Sequence, residues 1–206
     1  MTEYIFPEGA KIDFYFDFLS PFSYLANHRL ADVAARFGLD IDYKPIDLAR
    51  AKLAIGNNGP TNRDLPIKLA YLAKDLERWA KRVGIPLVFP PDYNTGLINK
   101  GTFYAIDRDR EADYVRAGFA MVWGHGKSPQ DEQNLRELAG KMGWPGDDFL
   151  QYVASHKAAD AYNASTEQAI ENHVFGVPSM CFAGQMWWGN DRVDFLEEFL
   201  HIYGKS

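Results

Sequence analysis

The chain has 206 residues, a formal net charge of -6 and one cysteine, Cys181. A lone cysteine excludes an intrachain disulfide, gives no support for a zinc cluster and suits a reducing cytoplasm. The acidic balance, with no basic run, argues against nucleic acid or an anionic membrane surface as partner.

The opening MTEYIFPEGAK lacks the basic start and apolar core of a signal peptide. No apolar run approaches the roughly 20 residues of a membrane span. The reading is of a soluble cytoplasmic protein, either one domain with a large insertion or two small domains. From Ile12 the sequence alternates. Ile12, Phe14, Phe16 and Phe18 share one face and Asp13, Tyr15 and Asp17 the other, which predicts a strand half-buried against a core. Ser20-Pro21 then breaks the period, serine as a favoured N-cap and proline with its φ preset for the first helical position. A helix follows from Phe22 to about Phe37, ended at Gly38, and Leu39 to Pro45 alternates as a second strand. Strand, helix and strand with connections this short predict a βαβ unit with parallel strands.

From Leu48 the character changes. Ile55 to Asn62 reads as a loop, and Asp64 to Val83 as a helix with an apolar stripe of Leu65, Leu69, Leu72, Leu76 and Trp79, closed by Gly84. Ile85 to Tyr93 carries three prolines, with Leu87 to Phe89 as a strand candidate. Further helices are predicted over 98–106, 111–123, 131–142 and 147–155, and the charged run Asp107 to Asp113 reads as a solvated helix start. The final unit begins with Ser165 and Gln168, a capping-box pattern for a helix to about His173. Phe175-Gly176-Val177-Pro178 leads to a strand Ser179 to Phe182, a turn at Ala183-Gly184, a strand Gln185 to Trp188 and a helix from Asp191 to Tyr203. Two strands around so tight a turn predict an antiparallel hairpin.

The βαβ and ββα order is that of the thioredoxin fold, with a large all-helical insertion. In that fold a Cys-x-x-Cys motif opens the first helix, and a proline, usually cis, precedes the third strand. Here Ser20-Pro21-Phe22-Ser23 stands in the motif's place and Val177-Pro178 in the proline's. Disulfide exchange needs a thiolate, and none lies at this junction. Over its whole length the sequence resembles the 2-hydroxychromene-2-carboxylate isomerases and the related kappa-class glutathione transferases. The resemblance rests on FYFDFLSPFSYLA, GNNGP at 56–60, KLAYLAKDLERWAKRVGIPLVFP at 68–90, FGVPSM at 175–180 and WWGNDR at 187–192. It implies a thioredoxin-like glutathione-binding domain from 1–50 and 161–206, with an inserted helical domain over 51–160.

The resemblance makes Ser20 the catalytic serine, in contact with the glutathione sulfur. Val177, before Pro178, is expected to pair through its backbone with the cysteinyl unit. Trp188, Gly189, Asn190 and Asp191 are expected around the γ-glutamyl end. Lys52, Asn58, Arg63 and Lys68 are candidates for the glycine carboxylate or an acidic substrate. Three readings follow: a glutathione-dependent isomerase of an aromatic carboxylate in naphthalene-type catabolism, a kappa-like transferase, and a non-catalytic glutathione- or peptide-binding protein. Dimers are usual in the family. Taken alone, Ser20 and Asn190-Asp191 are helix caps, Asp75 and Arg78 a local ion pair, Cys181 a small buried hydrophobe, and the scattered histidines no metal site.

Overall fold

The computed structural model describes residues 6–203 apart from Glu8; the side chain of Arg63 and the remaining terminal residues lie outside the described set. Four strands form one mixed sheet: β1 (Lys11–Phe16), β2 (Asp40–Pro45), β3 (Ser179–Phe182) and β4 (Gln185–Trp188), in the order β2-β1-β3-β4. β1 runs parallel to β2, with Ile12 opposite Ile41, and antiparallel to β3, with Tyr15 opposite Ser179. β3 and β4 form the expected hairpin around Ala183 and Gly184, both at positive φ.

The alternation of β1 survives, with Lys11 and Asp13 still reaching water on the polar face and Tyr15 and Asp17 buried there. Ile12, Phe14, Phe16 and Phe18 enter the main core, and Tyr15 joins a second cluster with Ile46, Ala51, Ala169 and Val174. The half-buried expectation thus holds at Lys11 and Asp13 and is corrected from Tyr15 onward. A central strand has neighbours on both edges, and here helices cover both faces of the sheet. α1 (Pro21–Arg36) follows β1 directly. α2 (Leu48–Ala54), capped by Asp47, and α8 (His156–Glu171) carry Ala51 and Ala169 to the Tyr15 side.

The region after β2 is helical as expected: α3 (Pro66–Val83), α4 (Gly96–Ile106), α5 (Glu111–Phe119), α6 (Glu132–Lys141) and α7 (Gly146–Val153). α5 runs on into a π-helical turn, Ala120–Gly124. Leu87 to Phe89 is not a strand; the Val88 amide donates to the Trp123 carbonyl at 2.7 Å, a single tether among prolines. The stripe on α3 is covered only in its second half, where Leu76 and Ala80 pack on Leu25 of α1. Leu65, Leu69 and Tyr71 are exposed, and Ile67 is 90% exposed.

The helix expected to be capped by Ser165 is capped by Ser155, ten residues earlier. Ser165 lies inside it, and its hydroxyl donates to the Pro45 carbonyl of β2 at 2.8 Å. α8 therefore crosses residue 160 without a break. The last helix, α9 (Val193–Tyr203), follows a 3-10 turn, Asn190–Arg192. No helix among the described residues is long and apolar enough to cross a membrane, and no group of three or more His, Cys, Asp or Glu among them is arranged to hold a metal ion.

Candidate active site

Ser20 is the N-cap of α1, with extended backbone (φ -96, ψ 113), and is nearly buried. Its Oγ accepts from the Ser23 amide at 3.2 Å, and its carbonyl accepts from the Ser23 and Tyr24 amides. Pro21 has no N–H. The amide that helix geometry leaves open in this first turn is that of Phe22. Since Oγ accepts the cap bond, its own hydrogen is free to be donated. An anionic atom set above this turn would meet a hydroxyl donor, an amide donor and the positive end of a 16-residue helix.

The other half of the junction comes from the C-terminal unit. The Val177–Pro178 peptide is cis. The β1–β3 ladder ends at Tyr15 and Ser179, so Val177 lies beyond it. Among the described residues no hydrogen bond engages Val177's backbone. This leaves a donor and an acceptor for an extended peptide laid alongside, the pattern of strand addition. The Pro178 carbonyl accepts from the Gly189 amide at 2.9 Å, bringing the 189–192 turn beside it. Gly189 has φ 116, a conformation that suits glycine, and a Cβ there would lie 2.6 Å from an Asp191 carboxylate oxygen.

Asn190 and Asp191 divide. Asn190 is 2% exposed, and neither end of its side-chain amide has a hydrogen-bond partner among the described residues. Asp191 is exposed, with Arg192 at 3.5 Å. The Asn190 carbonyl is held by Arg29 of α1 at 2.7 Å; Arg29 also pairs with Asp194 and lies 5.2 Å from the centre of the Trp79 ring. Trp188 packs edge-on to Phe175 at 5.0 Å, and its indole fills the space over Gly176, where a Cβ would come within 2.5 Å of Nε1. It buttresses the loop leading to Pro178. Trp187 turns to the other face, against Phe199.

Ser20, Val177, Pro178, Trp188, Gly189, Asn190 and Asp191 thus lie at one end of the sheet. The remaining candidates lie on the connector from α2 to α3. Lys52 is in the last turn of α2, Asn58 in the exposed loop after it and Lys68 on the exposed start of α3. Arg63 is in a short 3-10 turn, Asn62–Asp64, with its side chain outside the described residues. No hydrogen bond or ion pair ties Lys52, Asn58 or Lys68 to the Ser20 turn among the described residues. The connector is fixed near the site at both ends instead, since α2 starts with the Leu48 amide facing the Asp17 carboxylate and α3 packs on α1.

Asp17 and Arg29 were missed as site residues. Asp17 read as the polar face of a half-buried strand, although a carboxylate three residues before an N-cap inside an apolar run was a signal. No thiol serves the junction, because Cys181 sits on β3 with its pKa pushed up to about 11, chiefly by burial. Asp75 and Arg78 face each other at 4.0 Å, as a local pair would.

A mixed sheet of this order, with a cap-serine opening the helix after β1 and a cis proline before β3, defines a DSBA-like thioredoxin domain, and the profile of that family matches residues 11–201. The chain belongs to the 2-hydroxychromene-2-carboxylate isomerase family of such domains. It is 51% identical to the 2-hydroxychromene-2-carboxylate isomerase of Pseudomonas putida, covering 90% of this chain and 92% of that protein. A solved 2-hydroxychromene-2-carboxylate isomerase superposes with a TM-score of 0.90 at 49% identity, over 93% of this chain and 95% of that one. Human glutathione S-transferase kappa 1 is a more distant relative, 24% identical over 94% of this chain and 92% of its own length.

Proposed function

We propose that this protein is a glutathione-dependent isomerase that interconverts 2-hydroxychromene-2-carboxylate and trans-o-hydroxybenzylidenepyruvate. The observation that carries the reading is the Ser20 turn: a donor-rich helix start beside an open peptide edge, with no thiol of its own. The relatives that are named isomerases support the reaction, and the kappa-class relatives support glutathione as the source of the thiol.

Glutathione would lie antiparallel to the Val177 backbone, with its ammonium near Asp191 and its sulfur over Ser20. A free thiol has a pKa near 8.5, so only a few per cent is ionised at neutral pH. Lowering it by about two units takes about 2.7 kcal/mol of preference for the thiolate. A charge-assisted hydroxyl bond, the Phe22 amide and the helix end together supply stabilisation of that size. Ser20 acts by donating a hydrogen bond, not as a nucleophile, since no base among the described residues is hydrogen-bonded to its hydroxyl to take its proton.

The thiolate adds to the conjugated carbon of the ring-opened substrate. The carbon–carbon double bond becomes single and rotates. Re-forming the double bond then expels the thiolate. No atom of glutathione is kept by the product, so it is a cofactor and not a second substrate. Lys52, Asn58, Arg63 and Lys68 are the candidates for the carboxylates of glutathione and substrate. Phe22, Trp79, Tyr93 and Trp188 are candidate partners for the aromatic ring. Our reading is of a cytoplasmic homodimer acting in aromatic hydrocarbon catabolism; the uncovered start of α3, with Ile67 and Tyr71 exposed, supports association.

The test is to supply hydroxychromene carboxylate in large excess over glutathione and follow its ultraviolet spectrum. The proposal predicts complete equilibration with all thiol recovered. Absence of any rate above the uncatalysed one removes it. The kappa-class relatives favour one second reading, a transferase, in which glutathione is consumed by an electrophile such as chlorodinitrobenzene.

A further inference from the structure

Asp17, three residues before Ser20 on the same turn, takes no part in the chemistry above, yet its carboxylate is among the most heavily bonded groups in the molecule. It is 3% exposed. One oxygen accepts from the Leu19 amide at 2.9 Å, the Thr95 hydroxyl at 2.7 Å and the Asn99 side-chain amide at 2.8 Å. The other faces the Leu48 amide at 3.4 Å. No Lys, Arg or His is paired with it among the described residues. Its titratable neighbour is the Tyr162 hydroxyl, reached through Asn99 at 2.9 Å, with Asp47 near Tyr162 at the start of α2.

The same groups fix the backbone of the turn. Asn99 accepts from the Phe18 amide at 3.2 Å, Trp123 donates to the Phe18 carbonyl at 2.8 Å, and the Ser20 amide bonds the Asp17 carbonyl at 2.9 Å. The amides of Phe18, Leu19 and Ser20 are therefore all engaged. Thr95, Asn99 and Trp123 belong to the helical insertion. Burying a carboxylate without a counter-charge opposes its ionised form, and an apolar contact would join the two parts of the chain at least as well. What the carboxylate adds is a single arrangement of the residues that lead to Ser20.

We propose that Asp17 is a positioning residue for the Ser20 hydroxyl, with Thr95 and Asn99 making the inserted helices part of that positioning. The proposal rests on the reading of Ser20 as the stabiliser of a glutathione thiolate. Its sign separates it from an electrostatic role. A negative charge near a thiolate opposes it, so removing the charge alone lowers the thiol pKa. Loosening the turn moves the hydroxyl and the Phe22 amide away from the sulfur and raises it.

The experiment titrates the thiolate ultraviolet band of the glutathione complex in wild type, Asp17→Asn and Thr95→Val. Binding of S-methylglutathione and thermal melting serve as controls. Asp17→Asn is expected to raise the midpoint by about one pH unit, about a tenfold loss of thiolate below it. The kcat at neutral pH should fall to match, with recovery at higher pH and with S-methylglutathione affinity within about threefold. Thr95→Val keeps the volume and every charge and should shift the midpoint in the same direction by less; it carries the test if Asp17→Asn does not fold. An unchanged or lowered midpoint in a folded variant overturns the proposal. A wild-type complex with no thiolate band at any pH overturns the glutathione reading itself, and this proposal with it.

Discussion

Ser20 uses an oxygen lone pair to cap α1 and keeps its hydrogen for whatever is set above the helix. The same division of labour recurs at Asn190, whose side chain is buried while its carbonyl is held by Arg29. Arg29 is itself largely shielded and is fixed by Asp194 and the Trp79 ring. Its bond to Asn190 is charge-assisted, and such bonds contribute about 1.5–3 kcal/mol. Arg29→Ala should therefore weaken glutathione binding by roughly tenfold or more through displacement of the 189–192 turn. The kcat at saturating glutathione should stay near wild type. Isothermal titration and a glutathione saturation curve check this; an unchanged dissociation constant would detach Arg29 from the site.

At the scale of elements, the insertion and the sheet meet at Phe18. Its ring packs so closely on α5 that a Cβ at Gly118 would lie 2.7 Å from Phe18 Cε1. Phe18 has no exposure and its backbone is tied to Asn99 and Trp123, so it has little room to yield. Gly118→Ala should destabilise the fold by about 1–3 kcal/mol, the usual range for overpacking a filled core, and lower the isomerase rate by disturbing the adjoining turn. Denaturant unfolding and activity measure the two effects; a variant as stable as wild type contradicts the packing. This junction was legible only in part. Local signals, Ser20-Pro21 after an alternating strand and Ala183-Gly184 between two short ones, carry their meaning within a few residues. The bond from Asn99 to Asp17 spans 82 residues, and no spacing announces it. α2 was missed because seven residues show too little periodicity. The Ser165 pattern misled because a serine inside a helix can send its hydroxyl to a neighbouring strand. The exposed start of α3 shows the limit of periodicity, which tells which side of a helix is apolar but not whether anything covers it.

For the molecule as a whole, two buried surfaces meet along β1. The main core occupies one face, the Tyr15 cluster the other, and Asp17 lies where the strand ends. Burial raises the Asp17 pKa above its ordinary value. A carboxyl held above its unfolded value binds its proton more tightly when folded, so its contribution is complete at low pH. That contribution is lost as pH rises from about 4 through the folded pKa. The stability gap between wild type and Asp17→Asn should accordingly narrow as pH is raised above about 4 in denaturant titrations; a gap that widens contradicts the raised pKa. The central claim is that this chain keeps a thiol from outside ionised at Ser20. It is tested most directly by the thiolate absorbance of bound glutathione in wild type and Ser20→Ala at neutral pH. The account predicts a thiolate band in wild type and its loss in a variant that still binds glutathione, with kcat reduced by about 10²-fold or more, as for removal of one preorganised donor. An equal band and an equal rate in the two proteins would contradict it.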